Sequence, residues 1–155
     1  MKIKTRKFNN KDLVKYIKLA ANFYADVLIP NYKDKIYLEI YANDIKADGY
    51  CTCLGRYDYE IEIDKDLTFE HMMITLAHEM IHLKQYTTKE LKSRFVRGKP
   101  VDTWKGVQYR NLKYKEQPWE REAMLYEESL YQQFLLNCFV DGSLDFDKIK
   151  RIDNN

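Results

Sequence analysis

His78 and His82 are two of only three histidines in the chain, and they stand four positions apart in the stretch 75–86, TLAHEMIHLKQY, with Glu79 directly after the first. On an α-helix, residues four apart lie one turn apart on the same face, so both imidazoles can point at one ion. A neutral imidazole nitrogen is a common zinc ligand, and an H-E-x-x-H spacing on a helix matches a two-histidine clamp. Glu79, rotated by one position, can reach a water on that ion without being a ligand. The chemistry such a trio performs is hydrolysis by a metal-activated water, with the carboxylate as general base.

A catalytic zinc also needs a third protein ligand and one position open to water. His71 comes seven residues before His78, which places it about 10 Å away along the helix axis, too far to share the ion. The segment QPWEREAM offers Glu120 and Glu122 at the start of another expected helix. The helix dipole favours acidic residues there with or without a metal, so residue type alone does not choose between the two.

HEMIH on a helix, followed by Glu120-Arg121-Glu122-Ala123 in an E-x-x-A pattern, resembles the gluzincin branch of the zincin metallopeptidases. That resemblance implies a minimal zincin-like fold and Zn2+ as cofactor. It implies His78, His82 and Glu120 as ligands, with Glu122 as the substitute if the helix is rotated. Glu79 would serve as general base and then general acid, and the substrate would be a peptide or protein. The family often carries Asp one position after that Ala; Met124 stands here, so support for a histidine must come from elsewhere. Gln85 and the later WKGVQY are also similar to SprT/Spartan-like metalloproteases, in which a third histidine lies in a short Gly-containing loop. Lys105 occupies about that position and no histidine follows His82, so that subgroup's role on DNA is not carried over.

The function expected is therefore a zinc-dependent metallopeptidase, a hydrolase acting on peptide bonds. A zinc-binding interaction module or inactive relative, and a zinc hydrolase of a non-peptide amide, are the alternatives. Tyr109 and Tyr126 are the candidates for stabilising the oxyanion. The strand YEIEID before the motif is the expected edge for holding an extended peptide.

Around this site the chain reads as one α+β domain spanning 1–155. Hydrophobic residues make up 45% and charged residues 32%, the balance of a globular protein, and no apolar run approaches the roughly 20 residues a membrane span needs. The basic start MKIKTRKFNNKD lacks the apolar stretch of a secretory signal, so a cytoplasmic location is the expectation. Cys51, Cys53 and Cys138 are expected as free core or surface thiols, without a disulfide or a metal role. A net charge of +2 does not indicate nucleic acid, and the run KELKSRFVRGK reads as a solvated face. The sequence sets no oligomeric state.

Helical periodicity predicts a first helix over KDLVKYIKLAANFYADVL, capped by Asn10 or Asp12 and ended by Pro30. Alternation predicts a strand over 35–42 and a hairpin of 50–54 with 57–64, within a small, mostly antiparallel sheet of three or four strands. Thr68 should open the motif helix, running to about Tyr86, and Pro118 a long helix stopped by Asp141 and Gly142. Between them TTKELKSRF reads as a short helix, RGKPVD as a loop and WKGVQYR as a short strand or turn. The tail SLDFDKIKRIDNN is expected to pack loosely.

Overall fold

The computed structural model describes residues 1–96 and 98–154. It is an α+β protein, as expected, set on two sheets. Strand β1 (Lys2–Arg6) precedes helix α1 (Lys11–Leu28); strands β2 (Tyr37–Asn43), β3 (Gly49–Gly55) and β4 (Asp58–Asp64) follow, then helix α2 (Phe69–Thr87). Strands β5 (Leu91–Val96), β6 (Lys99–Trp104) and β7 (Val107–Tyr109) lead to helices α3 (Pro118–Val140) and α4 (Phe146–Asp153).

The first sheet has the order β1-β2-β4-β3. β1 runs parallel to β2 and β2 parallel to β4, whereas β3 pairs antiparallel with β4 as the hairpin requires. The second sheet, β5-β6-β7, is antiparallel throughout, so antiparallel pairings are the majority over the two sheets together. The parallel β1–β2 pairing follows from connectivity: α1 returns the chain from β1 to β2, and a helical crossover leaves the joined strands parallel.

Alternation decides which sheet face is buried. Leu38, Ile40, Ile61 and Ile63 are fully buried on one face, while Glu60 and Glu62 on the intervening positions are only half-buried. Onto the apolar face pack Ile17, Ala20 and Tyr24 of α1, Met73, Leu76 and Met80 of α2, and Ala123 and Phe134 of α3, in one core. Removing that apolar surface from water drives the assembly and holds α2 against both the sheet and α3.

The expected caps are present. The Asn10 side chain accepts from the backbone N–H groups of Asp12 and Leu13, and Thr68 accepts from that of His71. Pro118 opens α3 and Asp141 caps its end.

Three expectations are corrected. TTKELKSRF is not a helix: α2 ends at Thr87, Lys89 takes a positive φ of 62°, and residues from Leu91 enter β5. Lys99 to Asp102 of the expected loop belong to β6, while Arg97 in that loop lies outside the described residues. The tail is docked rather than loose, because Ile149 and Ile152 pack on the core and Asp153 Oδ1 accepts from the Phe69 N–H at 2.6 Å. Asn155, its last residue, lies outside the described residues. β1 is an element that the sequence reading missed; it alternates exposed Lys2, Lys4 and Arg6 with half-buried Ile3 and Thr5. No helix among the described residues is long and apolar enough to cross a membrane.

Candidate metal centre

α2 carries His78, Glu79 and His82 on the side that faces α3 and the β3 edge. Two side-chain contacts bring the partner elements in. Gln85, fully buried, donates from Nε2 to the Trp119 carbonyl at 3.0 Å, which ties the start of α3 to α2. Trp119 packs with Leu91 and Trp104 in a second apolar cluster, so the β5–β6 hairpin braces the same turn. Glu120, the next residue, is thereby placed over the two imidazoles.

The Nε2 atoms of His78 and His82 lie 3.0 Å apart. Glu120 Oε2 is 3.2 Å from the first and Glu120 Oε1 3.3 Å from the second. One ligand atom from each of the three residues lies within 4.8 Å of the other two, close enough for all three to hold one metal ion. They form the one cluster of metal-ligating type among the described residues.

Hydrogen bonding on the far side of each ring makes the same point chemically. His78 Nδ1 lies 2.5 Å from Glu127 Oε2, and His82 Nδ1 lies 2.9 Å from Gln85 Oε1. Both partners are acceptors, so each ring places its N–H there and turns an Nε2 lone pair toward the other. Two lone pairs and a carboxylate cannot satisfy one another. A cation, or an extra proton, has to sit among them. In the protein alone the proton takes that place: burial pulls the His78 imidazole down, but Glu120, Glu127 and the nearby Glu79 carry it up to about 10. His82 is also raised, the Glu120 carboxylate outweighing burial. Burial likewise opposes ionisation of Glu120, yet its bonds to both imidazoles and to Tyr114 hold it down at about 2.

Glu79 differs from these. It is 5% exposed and lies in the same cleft, but no hydrogen bond from a described side chain fixes its carboxylate. Burial raises it to about 7, against the opposing pull of His82 and His78. A carboxyl poised near neutrality beside a metal-ligating cluster has the properties of a proton shuttle.

The cluster lies in a cleft of about 830 Å³ bounded by α2, the start of α3 and β3. β3 comes close because Gly49 has no side chain: a Cβ there would lie 2.7 Å from Thr75 Cγ2 and 2.9 Å from Glu79 Oε1. A strand glycine often marks such an approach.

Of the residues singled out from sequence, His78, His82 and Glu120 converge, and Glu79 joins them. Glu122 does not: it accepts from Gln85 Nε2 at 3.0 Å and Lys105 Nζ at 3.0 Å, with Lys84 nearby. His71 lines the cleft but is not part of the cluster, as its distance along the helix required. Tyr109 packs edge-on against Trp119 and Tyr126 is exposed, and neither lines the cleft. Tyr114 does, and its hydroxyl bonds the Glu120 carboxylate. YEIEID, now β4, is not an edge, because β2 and β3 occupy both its sides; the free edge beside the site belongs to β3.

Glu127, Gln85 as a histidine partner, Gly49 and Tyr114 were missed. Glu127 had a legible signal, since it follows Glu120 by seven residues, two turns on the same face. It supplies the histidine support that Met124 does not. The cysteines are free, with Cys138 in the core, Cys53 exposed and Cys51 in the cleft wall, where burial and then Glu79 push its thiol well up. No family model, curated protein or solved structure matches the chain.

Proposed function

We propose that the protein is a zinc-dependent metallopeptidase. The observation that carries this reading is the His78, His82 and Glu120 cluster, close enough to share one ion and backed by Glu127 and Gln85, with an unbonded Glu79 beside it. Zinc bound there supplies Lewis acidity and draws the pKa of water toward neutrality. Glu79 takes the proton from the attacking water and delivers it to the leaving amine. The β3 edge offers unpaired backbone groups to an extended substrate, and the Tyr114 hydroxyl, which donates to Glu120, would have to turn from that carboxylate to serve the developing oxyanion.

The test joins metal content to cleavage. The purified protein should take up one equivalent of zinc and cleave an unstructured protein in a chelator-sensitive manner. Glu79→Gln should keep the metal and lose cleavage, while His78→Ala should lose both. Undiminished cleavage by Glu79→Gln protein removes the mechanism; zinc uptake without any cleavage removes the peptidase.

A further inference from the structure

A helix on the surface of a domain needs one apolar stripe, and the opposite side is ordinarily polar. The second half of α3 departs from this. Leu130, Phe134 and Cys138 fill its core side, yet the run 129–140, SLYQQFLLNCFV, contains no charged residue, and the solvent side carries Leu136 at 63% exposure, Phe139 at 68% and Val140 at 78%. Leu125, at 69%, stands three turns before Leu136 on the same side. Single exposed apolar residues are ordinary; a row of them on a charge-free stretch of helix has the composition of an interface core.

The row is complementary to itself when reversed. With two copies of α3 set antiparallel about a two-fold axis between Gln132 and Gln133, Leu125 lies level with the partner's Val140, and the small Ser129 with the partner's Leu136. Exposed Glu128 lies level with the partner's Asn137, an amide rather than a like charge. The ends match as well. Arg121, exposed and in no ion pair with a described residue, comes to the level of the segment that carries Asp141 and Asp145. Antiparallel helices also set each positive N-terminus beside a negative C-terminus. A parallel pair would set Arg121 against Arg121 and the acidic ends against each other.

We infer that α3 is the interface of a homodimer, in which two copies of this chain pair their α3 helices antiparallel with Ser129 facing Leu136. An isologous contact of this kind closes at two copies, because each patch is covered by its twin. A standard interface takes about 800 Å² per partner, more than one helix pair buries, which sets a micromolar rather than a nanomolar dimer. The metal centre stays open in it. Glu120 and Glu127 leave α3 on the core side, toward His78, and the two copies of Glu120 stand about 38 Å apart along the pair. The dimer depends on nothing in the peptidase reading.

Sedimentation equilibrium of the full chain should show monomer and dimer in exchange at micromolar concentration, with no larger species. Leu136→Glu should raise the dissociation constant at least about 100-fold, since a two-fold interface meets each substitution twice, and should leave the circular dichroism of the monomer unchanged because Leu136 is at the surface. Should that variant lower the thermal stability of the monomer, Val140→Glu, at the helix end and 78% exposed, carries the same test. Register is read by Ser129→Cys/Leu136→Cys in a Cys53→Ser background, which removes the exposed native thiol. Within one chain the two new thiols are about 10 Å apart along the helix, too far for a disulfide, so oxidation should give a covalent dimer whose mapped link joins 129 to 136. A chain that stays monomeric to millimolar concentration, a dimer that both glutamate variants leave intact, or links joining 129 to 129 and 136 to 136 overturns the inference. So does a monomer that binds phospholipid vesicles and loses them in Leu136→Glu, which would make the row a membrane contact.

Discussion

Glu79→Gln changes one buried carboxyl into its uncharged isostere, and the structure sets what this does to the metal-free protein. Burial is the main cause that raises Glu79 from 4.5 to about 7, and at 5% exposure water does little to screen it. A raised carboxyl means that the folded state holds the proton more tightly than the unfolded chain. The contribution to stability is complete below the unfolded value and is lost as pH rises through about 7. Gln has no proton to lose. Between about pH 4.5 and 7 the variant should gain on wild type by about 1.4 kcal/mol per pH unit, reaching an advantage of about 3 kcal/mol by pH 8. Titrating groups that do not face Glu79 cancel in the comparison, whereas His78 and His82, which its charge helps to raise, fall in the variant. Urea unfolding of chelator-stripped protein at pH 5 and pH 8, followed by tryptophan fluorescence, measures it. With zinc restored the advantage should shrink, because a cation beside the carboxylate offsets its burial. An advantage at pH 5 as large as that at pH 8, or none at either, would refute the assignment of Glu79 as a buried, uncompensated group.

Three further outcomes follow from the same geometry. Glu120→Gln should lose zinc binding while Glu122→Gln stays within a few-fold of wild type in competition with a chromophoric chelator, since only Glu120 faces the imidazoles. Glu127→Ala and Gln85→Leu should each weaken zinc about 10–100-fold by the same assay, because each leaves a histidine Nδ1–H without its acceptor. Gly49→Ala places a methyl 2.7 Å from Thr75 Cγ2 and 2.9 Å from Glu79 Oε1, so thermal unfolding should show a loss of about 1–3 kcal/mol and kcat should fall with zinc affinity unchanged.

Local patterning was legible wherever a single element decides its own form. The capping side chains of Asn10 and Thr68 and the periodicity of α1, α2 and α3 are short-range properties, and they appear where the residues indicate. The region 88–117 was legible least. TTKELKSRF has good helix formers, but Leu91 is committed to a cluster with Trp104 and Trp119, and that burial outweighs propensity. β1 escaped notice because its alternation contains few apolar residues; it forms because β2 offers it a partner edge and Glu39 draws in Lys4 and Arg6.

For the site, sequence alone determined that His78 and His82 share a helix face with Glu79 between them, because helical pitch makes that a matter of spacing. Only the tertiary structure decided that Glu120 turns inward while Glu122 is held by Gln85, Lys84 and Lys105. It likewise decided that Glu127 replaces the support absent at Met124, that Tyr114 rather than Tyr109 or Tyr126 reaches the cluster, and that β3 rather than β4 is the free edge. These depend on how α3 and the sheets rotate and pack against α2, a contest among many weak contacts between residues far apart in the chain, which no local spacing encodes.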